Sequence, residues 1–167
     1  MNNKIAVIYK SRYGATKRYA GWIALKLGAD LYEVSDIRKK DLKEYGTIIY
    51  GAPLYSEKIK GIKFVINNYE HLKNKNIKLF MVGIENYDDI YIQSILKNNI
   101  PEDILKNIDT FYFRGKLNYR QLSIKDRILI SFLKSNVFEK INSNEIDESI
   151  DLIDKKSIEN ILNNVNN

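Results

Sequence analysis

The chain has 167 residues, of which 44% are hydrophobic and 29% charged, and its formal net charge is +6. This composition excludes a disordered chain, and no apolar run reaches the ~18 residues of a membrane-spanning helix. The absence of cysteine and the single histidine, His71, exclude disulfides, thiol nucleophiles and His-rich metal sites. Redox chemistry would therefore belong to an organic cofactor. No signal-peptide pattern follows Met1, so we expect a cytoplasmic protein.

The chain begins with a predicted strand, a polar loop and a predicted helix. Residues 4–9 are almost entirely apolar, which is typical of a parallel strand buried on both faces. Residues 14–27 have apolar side chains at helical spacing, and Gly28 is expected to end that helix. Apolar strands are predicted again at residues 31–34, 47–51, 78–82 and 109–114. Further helices are predicted near residues 61–72, 88–97 and 155–165.

Strands and helices that alternate in this way form an open parallel sheet through right-handed crossovers, with helices on both faces. The sequence therefore predicts an α/β fold, and no linker divides residues 1–167 into separate domains. Ligands of such sheets bind in a crevice at the carboxyl ends of the strands. We therefore expect the chemistry in the loops after the first, third and fourth predicted strands.

The loop after the first strand has the residue types of an anion site. Ser11, Gly14 and Thr16 stand between a buried strand and a helix N-terminus, where unpaired N–H groups and the helix dipole favour a phosphate. The loop lacks the Gly-Lys-Ser/Thr of the Walker pattern and the Gly-x-Gly-x-x-Gly of dinucleotide-binding folds. A simpler interpretation stays open, in which the two hydroxyls only cap the helix.

Together with the strand before it, this loop resembles the phosphate loop of flavodoxins, which reads Thr/Ser-x-Thr/Ser-Gly-x-Thr. The resemblance implies a flavodoxin-like five-stranded parallel sheet in the order 2-1-3-4-5 and non-covalent binding of FMN. It assigns the FMN phosphate to Ser11, Arg12, Tyr13, Gly14, Ala15 and Thr16. Arg12 and Tyr13 depart from the small hydroxyl residues of the pattern, and a guanidinium at Arg12 would add charge-assisted hydrogen bonds to a phosphate.

The same resemblance places the isoalloxazine ring between the loops after the third and fourth strands. The first of these loops contains Ala52, Pro53, Leu54 and Tyr55. The second contains Gly83, Glu85, Asn86 and Tyr87. Tyr55 and Tyr87 are the candidates for stacking on the ring, and the backbone of both loops would contact its polar edge. Asp88 and Asp89 follow, and their charges either disfavour an anionic reduced flavin or stabilise the next helix.

A long insertion follows the fifth predicted strand, over residues 115–154. Residues 112–140 contain seven basic and two acidic residues, a net charge of +5, whereas residues 141–167 have a net charge of −4. The order Gly-x-Leu-x-Tyr, then Asp-Arg and an apolar helical pattern, resembles the flavodoxin-like menaquinone-dependent protoporphyrinogen oxidases, as does an arginine shortly before Gly-x-Thr. Its apolar stripe has three interpretations, namely core packing, contact with an anionic membrane surface and cover for a substrate pocket. That stripe consists of Ile128, Leu129, Phe132 and Leu133.

Two functions follow from these resemblances. The first is an FMN-dependent oxidoreductase that passes electrons from a reduced substrate to a quinone, with the chemistry on the flavin rather than on a catalytic side chain. A variant of this role reduces another quinone or flavin partner. The second is an electron carrier that docks on redox partner proteins. Carriers of the flavodoxin type are typically acidic, so the net charge of +6 favours the first.

Three expectations concern other partners of the chain. We expect no nucleic-acid partner. The basic residues of segment 115–140 lead us to expect peripheral contact with the inner face of the cell membrane. We also expect self-association into a homo-oligomer.

Overall fold

The computed structural model describes residues 4–124 and 149–166, which form a parallel sheet covered by helices on both faces. The strands in these residues are β1 (Ile5–Tyr9), β2 (Asp30–Glu33), β3 (Thr47–Tyr55), β4 (Lys58–Ile59), β5 (Asn76–Gly83), β6 (Ile108–Arg114), β7 (Lys116–Asn118) and β8 (Ser149–Asp151). The helices are α1 (Ala15–Leu27), α2 (Lys63–Asn67), α3 (Tyr69–Leu72), α4 (Asp89–Asn99), α5 (Glu102–Leu105) and α6 (Glu159–Asn166). Short 3-10 helices cover Asp41–Glu44, Tyr119–Gln121 and Lys155–Ile158.

Five parallel strands form the sheet in the order β2-β1-β3-β5-β6, which confirms the predicted order 2-1-3-4-5. The central strand β3 pairs with β1 as far as Gly51 and with β5 as far as Pro53. The five strands run in the same direction, because helical segments return the chain between them. The carboxyl ends of β1, β3 and β5 therefore meet at one edge of the sheet. This edge carries the loops in which we expect the chemistry.

Both faces of the sheet are buried, as uninterrupted apolar strands require. On one face, α2, α3, α4 and α5 pack on a core that includes Tyr50 and Leu79, both 0% exposed. On the other face, α1 and α6 pack on Ile49 and Phe80, also 0% exposed. The Phe80 ring fills the space beside Gly51, where a Cβ atom would lie 2.2 Å from the ring. This close approach requires a glycine in the middle of β3.

β3 runs four residues beyond its predicted end at Gly51, so the predicted loop at residues 52–55 is wrong. β1 ends opposite Gly51, and the short strand β4 then pairs with β3 in antiparallel fashion at Leu54 and Tyr55. The Lys60 N–H also donates to the Pro53 carbonyl at 2.9 Å. The strand therefore continues because this hairpin supplies hydrogen bonds where β1 no longer does.

Other boundaries also differ from the prediction. The helix predicted over residues 61–72 is two short helices, because Asn68 leaves the helical conformation, with φ −107° and ψ 7°. β2 begins and ends one residue earlier than predicted, and residues 155–158 form a 3-10 turn before α6. Gly28 ends α1 in the left-handed conformation, with φ 60°, as predicted.

The described ends of the predicted insertion form a two-stranded antiparallel sheet of β7 and β8, in which Leu117 lies opposite Ile150. Gly115 connects this pair to the main sheet, because its N–H donates to the Gly83 carbonyl at 2.7 Å. The apolar stripe within residues 128–133 lies outside the described residues, so its three interpretations stay predictions. Within the described residues, no helix has the length and apolarity to cross a membrane.

Candidate functional site

The loop between β1 and α1, residues 11–16, is closed by a local hydrogen bond and a left-handed glycine. We call it the phosphate loop. The Gly14 N–H donates to the Ser11 hydroxyl at 3.2 Å, and Gly14 is the N-cap of α1 with φ 88°. Gly14 has no side chain with which to cap α1, and the Ser11 hydroxyl accepts the N–H of Gly14 itself, so the interpretation of the two hydroxyls as helix caps stays open. Apart from Gly14 and its two chain neighbours, no described atom lies within 4 Å of the position of a Gly14 Cβ.

Thr16 lies in the first turn of α1 and is 2% exposed. Its hydroxyl is not one of the buried side-chain atoms that lack a partner in the described part of the chain, which are Asn68 Oδ1 and Arg114 Nε. The first-turn N–H groups lack helical acceptors, and the helix dipole favours an anion there. The Ala15 side chain packs in the core, so only its backbone can face the loop. The first-turn N–H groups, with a hydroxyl at Thr16 in the same turn, therefore fit a phosphate.

Arg12 and Tyr13, which depart from the flavodoxin pattern, tie the phosphate loop to the segment after β7. The Arg12 Nη2 donates to the Ser123 hydroxyl at 3.1 Å, and its guanidinium lies 5.4 Å from the centre of the Tyr13 ring. The Ser123 N–H donates in turn to the Tyr13 hydroxyl at 3.3 Å. These contacts bring residues that are 110 and 111 positions apart in the sequence to one place.

The turn between β3 and β4 forms the second part of this edge. Ser56 and Glu57 both have positive φ, 47° and 61°, which is the geometry of a two-residue type I′ hairpin turn. The Glu57 carboxylate accepts a hydrogen bond from the Tyr91 hydroxyl, and the Glu57 carbonyl accepts one from Asn99 Nδ2 at 2.7 Å. α4 thus holds the turn.

The residues predicted to contact the ring from the end of β3 belong to the strand rather than to an open loop. The side chains of Ala52, Pro53 and Leu54 are buried, so a contact of these residues with the ring would involve their backbone. Tyr55 is half-buried at the end of β3. Its ring lies edge-on to that of Tyr13, with 6.3 Å between the ring centres. The structure therefore brings one predicted stacking residue beside the phosphate loop.

The loop after β5, residues 84–87, and Gly83 before it are held by four donor groups on three residues, two in β6 and the one that follows it. The Gly115 N–H donates to the Gly83 carbonyl. Arg114 Nη2 donates to the Ile84 carbonyl at 2.7 Å and Nη1 donates to the Asn86 side-chain oxygen at 3.1 Å. The Tyr112 hydroxyl donates to the Glu85 carbonyl at 2.8 Å.

Tyr87, the other predicted stacking residue, lies within a group of aromatic rings. It stacks on Tyr91 with 4.9 Å between ring centres and packs against Tyr112 at 5.9 Å. Burial, and after it the charge of Glu85, raises the pKa of Tyr87 to about 12. The phenol is therefore neutral at physiological pH. Tyr91 links the Tyr87 ring to the β3–β4 turn, because its hydroxyl donates to the Glu57 carboxylate.

Asp88 stabilises the helix that follows it, which is the second of the two roles expected for Asp88 and Asp89. It is the N-cap of α4, and its carboxylate accepts the Tyr91 N–H at 2.8 Å. Asp89 is in the first turn of the same helix, where a negative charge suits the helix dipole. The two carboxylates therefore stabilise α4.

Three residues at this edge were missed by sequence reasoning, namely Glu57, Tyr91 and Tyr112, whereas Arg114 was expected to meet a substrate rather than the loop after β5. A partial signal existed for Tyr91, since it lies four positions after Tyr87 in a predicted helix and such pairs share a face. Arg114 is the last residue of β6, and nothing local shows that its side chain turns toward the loop after β5.

The arrangement fits FMN at both of its ends. The phosphate would be held by the first turn of α1 and the Thr16 hydroxyl. The ring would lie between the β3–β4 turn and residues 84–87, near Tyr55. Bound FMN supplies the acceptance and release of electrons, while the chain orients it and sets the electrostatics around it.

Comparison with solved structures gives distant similarities. The flavodoxin of Megasphaera elsdenii is 21% identical, with a TM-score of 0.47, over 66% of this chain and 85% of that chain. The Trp repressor binding protein of Bacillus subtilis is 18% identical, with a TM-score of 0.46, over 67% and 83%. The Flv1 flavodiiron core of Synechocystis sp. PCC6803 is 18% identical, with a TM-score of 0.43, over 68% of this chain and 30% of that chain.

Family membership rests on the sequence itself. No curated protein matches the chain. The family model described as the flavodoxin domain matches residues 6–144, which is most of the sequence. The chain therefore belongs to the flavodoxin family, whose cofactor is FMN.

Proposed function

We propose that the chain is an FMN-dependent oxidoreductase that passes electrons from a small reduced substrate to a quinone, in the manner of the flavodoxin-like menaquinone-dependent protoporphyrinogen oxidases. The observation that carries this proposal is the contact between the phosphate loop and the segment after β7. Arg12 and Tyr13 both bond to Ser123 in that segment. The start of the basic insertion thus lies against the cofactor site rather than away from it.

The charge of the chain supports a substrate with acidic groups. Residues 112–140 carry a net charge of +5, and Arg120 of this stretch lies three residues before Ser123. Fixed positive charges beside a site raise the local concentration of anionic ligands. A porphyrinogen carries propionate groups and meets this requirement. A carrier that docks on basic partners would need the opposite sign of surface charge.

An electron carrier is the second candidate function, and two exposed apolar side chains favour it. Ile90 is 84% exposed next to Tyr91, and Ile124 is 76% exposed next to Ser123. Both flank the edge of the sheet at which FMN would lie. Exposed apolar side chains around a redox centre suit transient docking of a partner protein.

The two functions are separated by one set of measurements on purified protein. The flavin spectrum and an FMN titration come first. The protein is then photoreduced and reoxidised by a menaquinone analogue or by oxidised ferredoxin, and the oxidised protein is separately offered protoporphyrinogen. Oxidation of protoporphyrinogen with reduction of the quinone supports the oxidoreductase. Electron exchange with ferredoxin alone supports the carrier, and no FMN binding at micromolar concentrations contradicts both.

A matched pair of variants tests whether the positive charge at the phosphate loop contributes to recognition of an anionic substrate. Arg12→Gln removes a cation at the phosphate loop, whereas Lys26→Gln removes an exposed cation in the last turn of α1, at the opposite edge of the sheet. We expect Arg12→Gln to lower kcat/KM for a porphyrinogen by about tenfold or more, since a hydrogen bond to a charged group contributes about 1.5–3 kcal/mol. The Lys26→Gln protein should retain wild-type values. Equal values for both variants would contradict substrate recognition at this edge.

A further inference from the structure

The loop after β5 is fixed in an unusual way, because successive carbonyl groups are turned toward the same strand. The Ile84 carbonyl accepts from Arg114, and the next carbonyl, that of Glu85, accepts from Tyr112. Both donors belong to β6. An extended strand would turn consecutive carbonyls to opposite sides. This loop instead directs two of them toward β6.

The direction of these carbonyls sets the direction of two N–H groups. In a trans peptide, the N–H points opposite to the C=O of the same peptide plane. The N–H of Glu85 therefore points away from the Arg114 guanidinium, and the N–H of Asn86 points away from the Tyr112 hydroxyl. Among the described residues neither N–H has an acceptor. Both therefore point away from the two β6 side chains that hold the loop.

Arg114 is the residue that joins the two ends of this loop. One guanidinium nitrogen bonds the Ile84 carbonyl, and a second bonds the Asn86 side chain. The two acceptors are two residues apart, and the planar guanidinium fixes the distance between them. Its Nε is buried without a partner among the described residues. A buried donor without an acceptor carries an energetic cost, so the bonds of the other two nitrogens must outweigh it.

We propose that Arg114 is a positioning residue that holds the N–H groups of Glu85 and Asn86 toward the flavin ring and thereby favours the reduced form of FMN. Reduced FMN forms when two electrons and one proton enter the ring, and it carries a negative charge on its pyrimidine part. Two convergent backbone N–H groups form a concave site for an anion. Oxidised FMN has no such charge, so the arrangement stabilises the reduced form selectively. This inference rests on the binding of FMN.

The same edge also carries negative charge, which makes the contribution of Arg114 necessary. Glu85 lies within the loop, and Glu57 lies in the β3–β4 turn. Carboxylates near the ring would disfavour a reduced, anionic flavin. Arg114 opposes them with its own charge and through the loop geometry. The lysine and glutamine variants of Arg114 separate these two effects.

The test measures flavin binding and reduction potential in matched variants. Arg114→Gln removes the positive charge and the pair of hydrogen bonds that the guanidinium makes with the loop. Arg114→Lys keeps the charge but cannot bond both acceptors with one planar group. Lys116→Gln is the control, because it removes a cation two residues away that forms no hydrogen bond or ion pair with residues 84–87 in the described part of the chain. The potential is measured by equilibration with a reference dye, and affinity for oxidised FMN is measured by fluorescence quenching.

We expect Arg114→Gln to weaken binding of reduced FMN about tenfold more than that of oxidised FMN, a fall of about 30 mV for a two-electron couple. Arg114→Lys should show most of this fall, and Lys116→Gln should show none. Amide hydrogen exchange of residues 84–87 in the protein without FMN should accelerate in both Arg114 variants. That readout reports on the loop alone and does not depend on the flavin.

Three results would overturn the inference. A wild-type potential in Arg114→Gln would show that the loop does not tune the flavin. A wild-type potential and exchange rate in Arg114→Lys would show that charge alone acts. Equal shifts in Arg114→Gln and Lys116→Gln would show a nonspecific charge effect. If Arg114→Gln does not fold, Asn86→Ala replaces it, since it removes one acceptor of the same clamp from an exposed position. The expected shift then has the same sign and is smaller.

The failure of this inference is distinguishable from that of the proposed function. If the wild-type protein binds no FMN, both are overturned. If the wild-type protein binds FMN and only the Arg114 variants behave like wild type, the proposed function stands and this inference does not.

Discussion

The two ends of the candidate FMN site are built in different ways. At the phosphate loop, the hydrogen bond from Gly14 to Ser11 spans three residues. At the ring end, the bonds that fix the loop after β5 and the β3–β4 turn span 27 to 42 residues. The turn at Gly14 is a local structure at the start of a helix, although Arg12 and Tyr13 beside it also bond to the distant Ser123. The ring end is assembled from three strands and α4.

This difference predicts how strongly a single substitution at each end should change FMN binding. A local turn depends on the backbone freedom of a single residue, Gly14, and on the helix that follows it. The ring end is held by several side-chain hydrogen bonds. The loss of any one of them should therefore lower FMN affinity less than a substitution at Gly14 does. The following predictions compare the two ends, and they are ordered from the largest expected effect to the smallest.

The largest effect is expected at Gly14. Gly14→Ala adds a Cβ at the start of α1 and strains a residue with φ 88° by about 1–2 kcal/mol. With the loss of close phosphate approach, we expect the Kd for FMN to rise by about a hundredfold, equivalent to about 3 kcal/mol. The measurement is a fluorescence titration with FMN. Gly28→Ala is the control, because Gly28 also has a left-handed φ, 60°, and nothing within 4 Å of its Cβ position.

Both glycine variants should lose a similar amount of stability in thermal unfolding. Only Gly14→Ala should lose FMN affinity. Equal FMN affinity in the two variants would contradict the phosphate site at the start of α1.

The next effect is expected from the hydroxyl of Thr16. Thr16→Val removes the hydroxyl and keeps the shape of the side chain. We expect FMN affinity to fall about tenfold, because a hydrogen bond to a charged group contributes about 1.5–3 kcal/mol. Riboflavin, which lacks the phosphate, serves as the control ligand and should bind both proteins equally. Parallel losses of FMN and riboflavin affinity would place Thr16 outside the phosphate site.

A smaller effect is expected at the ring end. Tyr112→Phe removes the donor to the Glu85 carbonyl and leaves the bonds of Arg114 in place. The loss of one neutral hydrogen bond costs about 1 kcal/mol, so FMN affinity should fall about fivefold. Here the riboflavin titration should show the same loss as the FMN titration, since the ring rather than the phosphate is affected. A loss confined to FMN would reverse the assignment of the two ends.

The smallest effect is expected at the opposite edge of the sheet, at Asp30 at the start of β2. The Tyr45 hydroxyl, and after it the Lys4 ammonium, holds the pKa of this carboxylate below its usual value. A lowered pKa contributes stability that is present at neutral pH and lost as pH falls through the acid range. Asp30→Asn should therefore flatten the acid limb of the melting temperature between about pH 5 and pH 3. FMN affinity at neutral pH should not change.

Glu33→Gln, at the other end of β2 and exposed, is the control for this prediction. Its acid limb should match that of the wild-type protein. An unchanged acid limb in Asp30→Asn would mean that the contacts of Asp30 contribute nothing to acid stability.

Much of the fold could be predicted because its strands are uninterrupted apolar runs. Residues 47–51 and 78–82 have no other stable place than the centre of a parallel sheet. The β3–β4 hairpin could not be predicted in the same way. Its turn, Ser56-Glu57, lacks the Asn-Gly or Asp-Gly pair that marks a type I′ turn. The hydrogen bonds that attach the turn to α4 come from Tyr91 and Asn99, which lie far away in the sequence.

The residues of the candidate site divide in the same way, into those that the sequence predicts and those that only the tertiary structure places. The sequence alone determined the phosphate loop, because a strand, a hydroxyl-rich turn with one glycine and a helix N-terminus are consecutive in the chain. Only the tertiary structure decided that Ala52 and Leu54 are core residues and that Arg114 and Tyr112 hold the loop after β5. Their partners lie about 30 positions away, and the parallel register of β5 and β6, which places Gly83 opposite Arg114, brings them together.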